Sequence, residues 1–131
     1  MTKFAYTILY VKDVLVAIEF YENAFGFERK FLTSDNDYGE LVVGETTLSF
    51  ASIRLANSNL KDGFITSSLS NKPFGIEIGF TTENVEETIN SAVKAGGTIV
   101  ENQTTKPWGQ VVAYVRDPDG FLIEICTPMD L

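Results

Sequence analysis

The spacing of apolar positions changes several times along the chain, and each change predicts an element. Thr7-Ile8-Leu9-Tyr10-Val11 is a short β-prone run, followed by Asp13-Val14 and apolar residues at Val14, Ile18 and Tyr21. That spacing places one apolar stripe on a helix. The same order returns later. Ile78-Gly79-Phe80-Thr81-Thr82 is followed by Asn84-Val85 and a stripe of Val85, Ile89, Ala92 and Val93. Asp13 and Asn84 are helix-capping residue types, and Asn84 with Glu87 has the spacing of a capping box. Glycine closes each helix, as Phe25-Gly26 in the first and Gly96-Gly97 in the second.

Three strand-like runs follow each helix. They are Phe27–Thr33, Tyr38–Val43 and Thr46–Ile53, then Thr98–Glu101, Gln110–Arg116 and Phe121–Cys126. Turn residues separate the last two of each set: Gly44-Glu45 in one, Asp117-Pro118-Asp119-Gly120 in the other. Asp13 and Asn84, Val14 and Val85, Ile18 and Ile89, and Gly26 and Gly97 all stand 71 residues apart, and Tyr38-Gly39 matches Trp108-Gly109 at a spacing of 70. Such regularity marks a duplicated β-α-β-β-β unit. The expectation is a single α+β domain over 1–131. Module one spans 1–55, a Ser- and Asn-rich linker or mobile loop 56–72, and module two 73–131. Neither module alone covers both faces of its sheet. The two sheets are therefore expected to join as a curved, barrel-like mixed sheet around a concave pocket.

Composition narrows the setting. The 131 residues are 44% hydrophobic and 21% charged, with ten Phe, five Tyr and one Trp, which is a globular composition with a real core. No apolar run approaches the ~20 residues of a membrane span. The first residues lead straight into a strand, so no signal peptide is expected. A single cysteine, Cys126, excludes an internal disulfide and points to a cytoplasmic, reducing setting. The net charge of −8 repels nucleic acid and anionic membranes. It either attracts a cationic ligand or simply keeps the protein dispersed.

The run Leu9-Tyr10-Val11-Lys12-Asp13, with Ile18-Glu19-Phe20-Tyr21 and Phe25-Gly26-Phe27, resembles the opening of vicinal oxygen chelate proteins, the glyoxalase/bleomycin-resistance/dioxygenase superfamily. Ala95-Gly96-Gly97 is similar to a further mark of that family. Val115-Arg116-Asp117-Pro118-Asp119-Gly120-Phe121-Leu122-Ile123-Glu124 resembles its closing signature. In that family each unit gives two inward ligands to a divalent metal, one from its first strand and one from its last. Glu77 opens the second repeat and falls on Tyr6 of the first, and Glu124 falls on Ser49. The resemblance implies the same four positions. Alternation along the strands agrees: Leu48, Phe50, Ile123 and Ile125 would face the helices and turn Ser49 and Glu124 inward, beside Tyr6, Ile8 and Tyr10.

The chain has no histidine. Metal-using relatives place histidine and carboxylate at these positions, whereas Tyr and Ser are poor neutral ligands for Zn²⁺, Ni²⁺ or Fe²⁺. No cofactor is therefore expected, although two carboxylates would hold a hard divalent ion loosely. The remaining features are two acids and several aromatics, Tyr6, Tyr10, Trp108 and Tyr114, with Phe31 as a further candidate. Aromatic faces and acids suit planar rings and cations. The set resembles the metal-free bleomycin-resistance branch, in which an acidic, aromatic-lined pocket of a homodimer sequesters an antibiotic. The expected partners are thus a small-molecule ligand and a second copy of the chain. The ligand-binding set is Tyr6, Tyr10, Ser49, Glu77, Trp108, Tyr114 and Glu124. The alternative is a lyase- or isomerase-type enzyme with Glu77 or Glu124 as general base. Other features read as structural. Asp117-Pro118-Asp119-Gly120 is a turn, Cys126 lacks a residue to activate it, and Lys12 and Arg116 are expected to be solvated.

Overall fold

The computed structural model describes residues 1–129. The elements are β1 (Thr7–Val11), α1 (Val14–Phe25), β2 (Glu28–Leu32), β3 (Tyr38–Val43), β4 (Thr46–Ser52), α2 (Ile53–Asn59), β5 (Ile78–Thr81), α3 (Val85–Lys94), β6 (Thr98–Thr105), β7 (Val111–Arg116) and β8 (Leu122–Cys126). The β-α-β-β-β order occurs twice. The strands form two four-stranded mixed sheets of identical order, β1-β4-β3-β2 and β5-β8-β7-β6. In each, the first strand runs parallel to the last, which pairs antiparallel with the one before it. The α+β class is as expected. So are the two modules, whose curved sheets do not close into a barrel.

The chain divides into two compact units. Unit 1 holds Met1–Glu22 and Gly26–Thr66; unit 2 holds Asn23–Phe25 and the chain from Ser67 onward. In unit 1, Asp13 caps α1 by accepting from the Val16 N–H, and Gly26 ends the helix in the left-handed conformation. Val14, Ile18 and Tyr21 are fully buried, as the stripe required. A side chain at Gly39 would stand 2.5 Å from Ile18 Cδ1, so this alternate set of β3 faces the helix. Leu9, Val11, Leu41, Leu48 and Phe50 share that buried side.

In unit 2, Asn84 accepts from the Glu87 N–H and donates back to its carboxylate, closing the cap from both sides. Val85, Ile89 and Ala92 are buried, and so are Ala113, Val115, Ile123 and Ile125. Val93 departs from the expected stripe and is 43% exposed. At about 100° per residue it stands roughly 70° round the helix from the mean direction of Val85, Ile89 and Ala92, at the edge of the buried stripe.

Two further departures concern the stretch 53–72 and Arg116. The linker opens as a helix: Ser52 caps α2 through the Leu55 N–H, and Ala56 buries against the unit 1 sheet. Ser and Asn signal loops, but here they sit at a cap and on an exposed face. Arg116, expected in solvent, is 8% exposed and fully engaged with backbone carbonyls.

Candidate functional site

Each sheet has one face packed on a helix and one turned away from it, and the candidate side chains lie on the second. The ladders prove the alternation. Ser49 pairs with Ile8 on one side and Glu40 on the other, while Glu124 pairs with Gly79 and Tyr114. Ser49 and Glu124 therefore occupy equivalent places, and so do Glu40 and Tyr114. Tyr38 pairs with Ala51, and the residue holding that place in β7 is Val112, paired with Cys126. The match of Tyr38 to Trp108 fails for this reason. Trp108 lies in the turn before β7, is 65% exposed, and donates from its indole to Gln110.

On the unit 2 face, the Tyr114 hydroxyl donates to Glu124 Oε1 at 3.0 Å. Glu77, just before β5, feels the Glu124 charge. Partial burial and that neighbouring carboxylate raise its pKa above the ordinary 4.5, although the residue as a whole is exposed. Tyr114 is pushed up to about 12 by its bond to Glu124 and by burial, so it stays a phenol. Cys126 rises to about 11 through burial and the same carboxylate, which keeps the thiol protonated and a poor nucleophile. Neither glutamate has a basic partner among the described residues. Glu77 and Tyr114 line a groove of about 470 Å³ with Pro73, Phe74, Ile76, Val100 and Leu122. Its walls are mostly apolar. Phe74, Ile76, Val100 and Leu122 were not expected there; the exposed apolar pair Phe74 and Ile76 beside Glu77 was the legible signal.

On the unit 1 face, Tyr38 donates to Glu40 Oε2 at 2.6 Å, and Lys30 Nζ stands 3.6 Å from the other oxygen. Glu40 is nearly buried at 9% exposure. Burial and the Glu40 bond push Tyr38 up to about 12. Ser49 Oγ is fully buried and has no hydrogen-bond partner, although it is close enough to Tyr38 to draw that pKa slightly down. Tyr6 is 49% exposed. Tyr10 packs edge-on against Phe64, and Phe31 meets Tyr38 with its ring tilted by 42°. Sequence reasoning missed Glu40 and Tyr38. Both lie on the Ser49 face by alternation, and Glu40 interrupts an otherwise apolar strand.

A tightly bound transition metal calls for three or more strong ligands. Among the described residues no three His, Cys, Asp or Glu side chains stand close enough to share a metal ion. Tyr114 is held as a phenol and Ser49 is a neutral alcohol, so the donor set does not suit a tightly bound transition metal.

A duplicated βαβββ chain with its candidate residues on the sheet faces away from the helices defines a class of two-module α+β folds. The chain belongs to the Glyoxalase/Bleomycin resistance protein/Dioxygenase superfamily, whose model matches residues 3–125. It is similar to "Virulence protein STM3117" of Salmonella typhimurium, with 29% identity across 90% of this chain and 78% of that protein. Among solved structures, a glyoxalase-related enzyme from Fulvimarina pelagi superimposes with a TM-score of 0.82 at 21% identity, covering 98% of this chain and 89% of that one. A superfamily enzyme from Burkholderia phytofirmans gives 0.77 at 20% identity, covering 94% and 96%. Likeness at this identity shows the fold.

Proposed function

We propose that this protein binds a small organic cation with an apolar or aromatic body in the unit 2 groove, without a metal. One observation carries the reading: Glu77 and Glu124 repel each other beside apolar walls with no basic side chain to relieve them. A ligand cation supplies the missing charge, and Tyr114 and Phe74 offer it ring surface. The fluorescence of Trp108 is a poor reporter, since that side chain is outside the groove. Calorimetry with benzyltrimethylammonium, phenylguanidinium and a bleomycin should show saturable binding that benzyl alcohol does not. Glu77→Gln should weaken the cations by roughly tenfold, the scale of one desolvated charge contact. Equal binding of neutral and charged probes would sink the reading.

The pH dependence has a definite sign. A cation needs the ionised carboxylate, so affinity falls as pH drops through the Glu77 pKa. That pKa is raised, so the loss begins at higher pH than for an ordinary glutamate. We also infer that the protein acts in a reducing cytoplasm as a homodimer. Exposed Ile99 and Val100 on the edge strand β6 support the second point. Sedimentation at micromolar concentration tests it.

The raised pKa favours one second reading, a lyase or isomerase with Glu77 as base at a carbon next to a carbonyl. Solvent deuterium should then enter a methylglyoxal–thiol adduct, with or without added Ni²⁺, Zn²⁺ or Mn²⁺. No incorporation under any of these conditions ends that reading.

A further inference from the structure

The wall of the groove that carries Glu77 has no strand pairing of its own: residues 73–77 precede β5 and run without regular structure. Something else must hold it. Arg116, at the end of β7, donates from Nη2 to the Ser68 carbonyl at 2.9 Å, from Nη1 to the Asn71 carbonyl at 2.8 Å, and from Nε to the Gly120 carbonyl at 2.8 Å. A buried guanidinium with all three nitrogens committed to backbone oxygens forms a rigid fork. The turn after Arg116 completes the clamp. Asp117, 1% exposed, accepts from the Asp119 and Phe121 N–H groups and fixes the loop. The Phe121 ring then meets Phe74 edge-on at 6.4 Å. Gly120 sits at φ +92°, and a side chain there would stand 2.7 Å from the Ser68 backbone and 2.9 Å from Arg116. The incoming segment is thus gripped at 68, 71 and 74, three residues apart each time.

We infer that Arg116 is a positioning residue for the ligand groove: its clamp on Ser68 and Asn71 sets the wall Pro73–Glu77, and so places the Glu77 carboxylate against Tyr114 and Glu124. This rests on the proposed cation site for its binding consequence, but the placement of the wall stands apart from any ligand. The bonds also explain how a cation is buried here. Three carbonyl dipoles solvate it in place of water.

The test has two arms. Hydrogen exchange by mass spectrometry on ligand-free Arg116→Gln should show the hydrogen-bonded amides that flank the wall, Ser70 and Asn71 before it and Ile78–Phe80 of β5 after it, exchanging roughly tenfold faster than wild type while α3 keeps its protection, the pattern of local rather than global opening. Arg116→Lys keeps the charge but loses the fork, and should fall between the two; it also serves if the glutamine variant folds poorly. Exchange at Ser70, Asn71 and Ile78–Phe80 equal to wild type in the lysine variant and any folded glutamine variant overturns the inference, whatever binds. The second arm is a double-mutant cycle with benzyltrimethylammonium. If Arg116 acts through Glu77, Arg116→Lys weakens binding several-fold in wild type and hardly at all in Glu77→Gln. Equal losses in both backgrounds would mean a merely structural role and overturn the binding half. Failure of wild type to bind any cation refutes the proposed function alone, and the exchange arm still decides where the wall is held.

Discussion

The two helix-free faces carry the same chemical pair, a tyrosine hydroxyl bound to a glutamate, in different company. In unit 1 the acid is Glu40 on β3, nearly buried, bonded by Tyr38 and approached by Lys30. In unit 2 the acid is Glu124 on β8, half-buried, bonded by Tyr114 across the ladder and faced by a second acid, Glu77. The pair is not inherited position for position: Glu40 stands where Tyr114 does, Ser49 where Glu124 does, and Tyr38 where Val112 does. The difference separates two uses of a carboxylate. One whose charge is answered within its own unit stabilises that unit, and one left unanswered beside a groove is available to a ligand.

Removing the hydroxyl from each pair gives the largest expected contrast. Tyr38→Phe leaves Glu40 buried without its shortest hydrogen bond and should cost about 2 kcal/mol in urea unfolding. Tyr114→Phe leaves Glu124 with water within reach and should cost about 1 kcal/mol or less. Equal losses, or a larger one for Tyr114→Phe, would break the distinction between a structural and a functional pair. The converse should hold for ligand: Tyr114→Phe weakens benzyltrimethylammonium, and Tyr38→Phe leaves its affinity unchanged.

A smaller effect is expected at Ser49. Its buried hydroxyl has no partner, and an unsatisfied buried polar group opposes folding. Ser49→Ala should therefore stabilise the protein by about 1 kcal/mol in the same assay. A loss instead would mean that an ordered water or a bound group satisfies Oγ, and unit 1 would then hold a polar subsite of its own.

How much of this was legible depended on periodicity. The repeat, both helix caps and the facing of Ser49 and Glu124 follow from alternation and capping chemistry, which are local. Val14, Ile18 and Tyr21 are buried because three- and four-residue spacing permits no other face. Register was harder. A match of Tyr38-Gly39 to Trp108-Gly109 looks sound in letters, yet the ladder places Val112 opposite Cys126 where Tyr38 faces Ala51. Irregularities in the β6–β7 pairing after Ile99 and Glu101 lengthen that hairpin, and no local signal counts those residues. Arg116 was misplaced for a related reason. Charge predicts solvent, but a guanidinium is equally well served by carbonyls brought from 45 and 48 residues away. Such long-range partners leave no trace in spacing.

The smallest effect, and the one most specific to the unanswered pair, is the pH dependence of Glu77→Gln. Partial burial and the Glu124 charge raise the folded pKa of Glu77 above the ordinary 4.5, so the folded chain holds that proton more tightly than the unfolded one. Its contribution to stability is fully present below pH 4.5 and is lost as pH rises through the folded pKa. At neutral pH the ionised carboxylate therefore opposes folding, and Glu77→Gln should raise the midpoint of thermal unfolding. The gain should shrink as pH falls and vanish below 4.5. A saturating cation should abolish it from the other side, because binding answers the charge and stabilises wild type alone. A variant that is less stable than wild type at pH 7 would show that Glu77 already has a partner in the folded chain, and the contrast between the two faces would no longer mark a ligand site.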